Sequence, residues 1–355
     1  MRKIHAGIIG YGLSGAVFHA PLLAALPEFT IRGVVSSTPE KVKRDYPQAA
    51  AVPTVAALLA DAEIELVVVA SPNATHFDYA RQALLAGKHV VVEKPFVNSV
   101  RQADELISLA AERGLQLSVF QNRRWDNDFL TVQRCVKEGL LGRIYFYEAH
   151  YDLFRPQVGA KWKEHAGEGT GALYDLGPHL IDQALQLFGM PQAVWAELAG
   201  QRPGAEADDF FHLVMSYDSL RVVLHSGSIV RQAGPHFQVH GDGGSLIKYG
   251  MDPQQSDLQR GLRPGGTGWG RDREENYALV TLGRNLTLSS RVETVPGCYE
   301  AYYQGLYQSI VNRTPLPVTA DEARNVMLVI EAAVASHRQQ RRISLPDSTH
   351  KEELS

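Results

Sequence analysis

The feature that most constrains this chain is a glycine pattern set directly against a strand. Residues 6–9 are a short apolar run, and Gly10-Tyr11-Gly12-Leu13-Ser14-Gly15 follows at once as a complete G-x-G-x-x-G. The first glycine permits a tight turn, the second lets backbone amides reach a pyrophosphate, and the third lets the next helix pack close to the strand. With 31 glycines among 355 residues such a hexapeptide can arise by chance, but its position after an N-terminal strand points to dinucleotide binding. Pro21 should kink or restart the following helix near His19.

Strand and helix patterns then alternate for some 120 residues. Strands are expected at residues 30–35, 65–70 and 116–120, with helices at 75–86 and 99–113. Between them stands Val90-Val91-Val92-Glu93-Lys94-Pro95. Three β-branched residues suit a strand buried on both faces, and Pro95 cannot donate to a ladder, so the strand stops there. Lys94 is thereby delivered to a strand's carboxyl end, the edge where open parallel α/β sheets bind ligands. The hexapeptide alone is equally compatible with a Glu-Lys ion pair. The alternation specifies a doubly wound parallel sheet.

The second strand ends in Ser36-Ser37-Thr38, with Lys41 close behind and no acid where an adenosine ribose would be held. An acid there would face a 2'-phosphate, so its absence favours NADP over NAD. The next strand leads into Ser71-Pro72-Asn73 and His76. Asn73 has the chemistry of a helix N-cap, and His76 could be structural or face a cofactor.

A chain of 355 residues exceeds what one core usually supports, so two domains are expected, at residues 1–122 and 123–355. A net charge of -4 offers no reason to expect nucleic acid or an anionic membrane as partner. Two cysteines in no metal or disulfide spacing suit a reducing cytoplasm, and no apolar run approaches the ~20 residues that span a bilayer.

Beyond residue 122 the pattern changes. Strand-like runs at 143–152, 193–198, 210–217, 221–228 and 237–240 follow one another across short turns, which indicates an α+β domain with a large, mainly antiparallel open sheet. Its free face is a natural surface for homo-oligomers. Asp175 and His179 stand four apart at a helix start, so a carboxylate could orient an imidazole as general base; an N-cap beside a surface histidine fits the same residues. No third ligand lies near them and no H-E-x-x-H occurs, so no metal is expected. Residues 251–273, rich in Gly, Pro and Gln, read as a long loop, and residues 350–355 as a disordered charged tail.

The glycine hexapeptide, Ser71-Pro72-Asn73 with His76, and Glu93-Lys94-Pro95 together resemble the Gfo/Idh/MocA oxidoreductases. Gln121 to Asp126, Phe154 to Gln157 and Tyr174 to His179 are most similar to the subgroup containing NADP-dependent scyllo-inositol dehydrogenase. The resemblance implies an N-terminal Rossmann domain and a last helix returning to brace it. It places NADP along Gly10, Tyr11, Gly12, Leu13 and Ser14, near Ser36, Ser37 and Lys41, and against Ser71, Pro72, Asn73, His76, Glu93, Lys94 and Asn122. It implies substrate contacts from Lys94, Arg124, Trp125, Asp175 and His179, with Lys94, Asp175 and His179 catalytic. The expected reaction is hydride transfer between NADP and a secondary alcohol of a cyclitol or sugar. The alternatives are a dehydrogenase of another sugar derivative and a non-catalytic NADP-binding regulator.

Overall fold

The structure, a computed structural model, describes residues 2–283 and 285–346. The tail read from sequence at residues 350–355 lies outside the described residues. Two compact units divide the chain: Met1–Asp126, Asp252–Arg271 and Pro296–Arg324 form the first, and Asn127–Met251, Asp272–Val295 and Asn325–Ser355 the second. No described helix is long and apolar enough to cross a membrane.

The first unit carries a six-stranded parallel sheet of β1 (Ile4–Ile9), β2 (Phe29–Val35), β3 (Ala50–Val52), β4 (Leu66–Val69), β5 (His89–Val92) and β6 (Leu117–Val119). The order is β3-β2-β1-β4-β5-β6, a Rossmann-like arrangement whose direction reverses between β1 and β4. Val67, Val68, Val90, Val91 and Val92 are fully buried, which is why the central strands read as unbroken apolar runs. The edge strand β3 was not foreseen, because three half-exposed residues carry no usable periodicity. The helix Val100–Arg113 begins on Ser99, whose hydroxyl accepts from Gln102 N at 3.3 Å, and ends on Gly114 at φ 64°. Pro21 has the expected effect: a π-helical turn, Ser14–His19, gives way to α-helix at Ala20–Ala24.

Asn73 does not cap the next helix. It opens a 3-10 turn, Asn73–Thr75, after the extended Pro72, and Thr75 precedes the α-helix His76–Leu85. Proline favours extended backbone at its own position and before it, so the chain tightens only after Pro72.

The second unit holds a mixed nine-stranded sheet: β7 (Ile144–His150), β8 (Ala193–Ala199), β9 (Phe210–Ser216), β10 (Arg221–Gly227), β11 (Phe237–Gly241), β12 (Gly244–Lys248), β13 (Ala278–Leu282), β14 (Leu288–Val292) and β15 (Ile343–Ser344). The order is β14-β13-β12-β11-β7-β10-β9-β8-β15, antiparallel except where β7 and β10 run side by side. Strand β14 was missed from sequence because its residues are almost all exposed and show no apolar alternation.

Residues 251–273 are not a structureless loop. Helix Gln254–Gln259 lies within them, and the fully buried Gln254 donates to Trp125 O at 3.0 Å while accepting from Tyr299 N at 2.8 Å. One amide side chain thus satisfies two distant backbone groups, a function invisible in a Gly- and Pro-rich composition. Helix Glu300–Asn312 also packs in the first unit: Tyr302 donates to Ser118 Oγ at 2.8 Å and Tyr307 to Arg2 O at 2.9 Å. Helix Ala320–Gln339 binds Asp104 through Arg324 at 2.8 Å in the first unit, whereas in the second Ser336 Oγ accepts from Ala196 N at 3.0 Å.

Candidate functional site

In the first unit the glycine hexapeptide shows which of its members the fold itself demands. Gly10 has φ 96°, and a Cβ there would meet Ala70 O at 2.6 Å; one on Gly15 would meet Gly10 O at 2.1 Å. Both glycines are therefore required by backbone packing. A Cβ on Gly12 would meet nothing within 4 Å. The turn thus leaves open space over its second glycine, while Leu13 is 56% exposed beside it. An open, backbone-lined cradle at the carboxyl end of β1 fits a dinucleotide pyrophosphate.

Around that cradle runs a buried polar chain. Ser14 donates to Glu93, Nε2 of His19 lies 3.0 Å from the same carboxylate, and Nδ1 of His19 lies 2.6 Å from the Tyr303 hydroxyl. Glu93 also accepts from Lys94 N at 2.9 Å. Burial alone would raise the Glu93 pKa, but the hydrogen bond and charge of His19, with Lys94 and Ser14, hold it down to about 2. The glutamate next to Lys94 therefore ties the end of β5 to the glycine turn. Sequence reasoning missed His19 and Tyr303, which no local pattern marks.

Lys94 follows β5 and is half-buried, with a cis peptide to Pro95. His76 is buried, its Nδ1 2.8 Å from Pro95 O and its Nε2 2.9 Å from Ser71 O. Burial, the largest influence, lowers its pKa, and with both ring nitrogens facing carbonyl oxygens the ring is a strut between the ends of β4 and β5. Ser71 and Asn73 are half-buried and Pro72 exposed at the same edge, and Asn122 is buried at the start of a 3-10 turn, Asn122–Trp125.

At the end of β2, Ser36 Oγ accepts from Thr38 N at 3.0 Å, and Ser37 is exposed. Lys41 Nζ sits 5.4 Å from the Tyr11 ring centroid, and the Tyr11 hydroxyl donates to Asp45 at 3.2 Å. The turn Arg123-Arg124-Trp125 is not a solvated one. Arg123 pairs with Asp126 at 2.8 Å, and Arg124, 8% exposed, reaches Glu322 at 3.2 Å and Pro317 O at 3.3 Å. Trp125 packs edge-on against Tyr302, ring centroids 5.8 Å apart.

In the second unit Asp175 and His179 do not lie on one continuous helix. Asp175 ends the short helix Ala172–Asp175 and His179 lies in the first turn of Gly177–Phe188, with a break at Leu176 where φ is -109°. Pro178 causes the break, because its ring is tolerated only in a helix's first turn. His179 is buried, and the carboxylate of Asp175 receives Lys163 Nζ. That pair lines an open cleft whose walls include Arg155, Glu164, Arg202 and Asp208.

Asp208 accepts from Leu173 N at 2.8 Å. Burial, only partly offset by backbone donors, raises its pKa to about 6. Gly171, at φ 91°, leaves room for it, since a Cβ would come 2.0 Å from Asp208 Oδ1. Because the folded state holds this proton more tightly than the unfolded chain, Asp208 costs stability as pH rises from about 4 to about 6. Asp208→Asn should flatten the fall in urea midpoint across that window; an unaltered slope would show that Asp208 ionises normally.

Comparison with known proteins gives three consistent results. Residues 4–121 match a Gfo/Idh/MocA profile described as oxidoreductase family, NAD-binding Rossmann fold, and residues 133–345 match that family's C-terminal alpha/beta domain. The scyllo-inositol 2-dehydrogenase (NADP(+)) IolW of Bacillus subtilis is 45% identical over 96% of both chains, and the uncharacterised oxidoreductase YdgJ of Escherichia coli is 43% identical over 95% of this chain and 97% of its own. The structure of the oxidoreductase yvaA from Bacillus subtilis superposes with a TM-score of 0.95 at 44% identity, covering 97% of this chain and 99% of its own.

Proposed function

Because the chain belongs to the Gfo/Idh/MocA oxidoreductase family in both of its domains, we propose that it is an NADP-preferring dehydrogenase. In this reading it moves hydride between the cofactor and a secondary alcohol or ketone of a cyclitol resembling scyllo-inositol, or of a sugar. The observation that carries the reading is the make-up of the second unit's cleft, where Arg155, Lys163, Arg202, Glu164, Asp175, Asp208 and Asp209 bring cations and carboxylates together in near balance. Such walls offer donors and acceptors to many hydroxyls and little net charge, which suits a neutral polyol.

The residues that would hold the cofactor are the glycine turn from Gly10 to Ser14, the Ser36-Ser37 end of β2 with Lys41, and Ser71 to Asn73 at the end of β4. When bound, its nicotinamide accepts or donates the hydride. Lys94 stabilises the charge that grows on the substrate oxygen as its proton leaves. His179 takes that proton, and Asp175, held by Lys163, orients it. His76 and Glu93 are positioning residues, one bracing strand ends and the other the glycine turn. Arg124, bonded to Glu322, and Trp125 would act on substrate through the shape of the turn they hold.

Trp195 and Leu279, 38% and 44% exposed on the nine-stranded sheet, support a homo-oligomer formed through that sheet. A panel of free cyclitols and sugars tested with NADP and with NAD should yield reduced cofactor with at least one compound, faster with NADP. No turnover of any polyol, and none of the corresponding ketones with NADPH, would overturn the reading. Coenzyme choice has its own test. An acid about 4 Å from a 2'-phosphate costs on the order of 4 kcal/mol at a surface-like dielectric, so Ser36→Asp should lower the NADP-to-NAD ratio of kcat/KM by at least ~10-fold. An unchanged ratio would mean the phosphate is bound elsewhere.

A further inference from the structure

Away from the cleft residues, the nine-stranded sheet brings together a set of side chains that the dehydrogenase chemistry does not use. Strands β7 and β10 run parallel with His150 opposite His225, and the two rings lie 4.9 Å apart on one face. The pairing continues beyond β7, where Tyr151 N donates to His225 O at 2.9 Å. Two residues past His150 on extended chain, Asp152 therefore returns to that same face. Its Oδ2 lies 3.0 Å from His150 Nδ1 and its Oδ1 3.5 Å from His225 Nε2. Among the described residues Oδ1 is buried and accepts no hydrogen bond, although the Asp152 side chain is only 6% exposed.

We propose that His150, Asp152 and His225 form a binding site for a divalent transition-metal ion of the zinc class. One donor atom from each lies within 4.8 Å of the others. Zinc held at about 2.0–2.2 Å by nitrogen and oxygen in a tetrahedron needs donors roughly 3.3 Å apart, a distance reached by small side-chain rotations. Two imidazoles and a carboxylate suit zinc, and the fourth position lies on the sheet face that also carries Trp195 and Leu279. The surroundings are those of a metal-ligating histidine. His150 directs Nε2 to Glu148 at 2.8 Å, leaving Nδ1 toward Asp152, and Gln238 on β11 donates to Glu148 at 3.1 Å. A carboxylate on the far nitrogen fixes the tautomer and ring orientation that a metal requires. His212, opposite His225 on β9, packs its ring 5.8 Å away and closes that side.

The site does not depend on the proposed substrate or cofactor, so its test is separate from theirs. The untagged full chain, stripped with a chelator, is titrated with Zn²⁺ by calorimetry and with Co²⁺ by visible absorption. One Zn²⁺ per chain is expected, with Co²⁺ developing tetrahedral bands that Zn²⁺ abolishes. Asp152→Asn and His225→Gln should each weaken Zn²⁺ binding by more than ~100-fold, and Glu148→Gln by ~10- to 100-fold with stoichiometry kept. If Asp152→Asn fails to fold, His225→Gln alone decides. No stoichiometric uptake, or uptake indifferent to these substitutions, would reduce the cluster to a charge bridge of His150 between two carboxylates and overturn the proposal.

Discussion

Lys94→Ala should reduce turnover by ~100-fold or more while leaving NADP affinity little changed, because it removes an interaction concentrated in the transition state. The side chain stands at the end of β5, half-buried, where an alkoxide would meet little competing water. Steady-state kinetics with the substrate found in the polyol screen, alongside cofactor binding by fluorescence, separates the two quantities. His179→Ala should fall in kcat similarly, and the double variant should fall by less than the product of the two if both groups serve one substrate oxygen. Full activity in Lys94→Ala would remove it from the chemistry.

The second large effect is on stability. Glu93→Ala should cost about 3–5 kcal/mol, since it leaves the buried His19 and the half-buried Ser14 without the carboxylate they share. Urea denaturation of the full chain measures it. The sign of the pH dependence follows from a folded pKa of about 2 against an ordinary 4.5. Glu93 contributes fully above the ordinary value, and that contribution is lost as pH falls toward 2. Glu93→Gln, which keeps the shape, should therefore differ from the parent more at pH 7 than at pH 3. Equal midpoints at both pH values would place the stability of the glycine turn elsewhere.

Much of the first unit was legible because its signals are local. Strands buried on both faces write themselves as runs such as Val90-Val91-Val92, and a helix start such as Ser99 needs only its neighbour three residues on. The glycine turn was legible for the same reason: Gly10 and Gly15 answer to backbone a few residues away or on the adjoining strand. The second unit was read more coarsely. Its sheet was recognised, but β14 has no buried face to announce it, and the β7–β10 pair is parallel where short turns suggested otherwise.

The candidate site divides along the same line. Lys94, Asp175 and His179 were read as candidates from a strand end, a spacing and a family resemblance, whereas Lys163 beside Asp175 and Asp208 beside Gly171 were not, since each pair joins residues 12 and 37 apart whose meeting no period encodes. His19 answers Glu93 across 74 residues and Tyr303 across 284. By itself, then, the order of residues determined the Rossmann sheet and the nucleotide turn, because burial periodicity, turn chemistry and short motifs act within a few residues; the oxidoreductase family came from resemblance. Only the tertiary structure decided which acids are bound, raised or lowered in pKa, and which histidines gather on one sheet face, because those outcomes depend on desolvation and on partners that separate strands carry into contact.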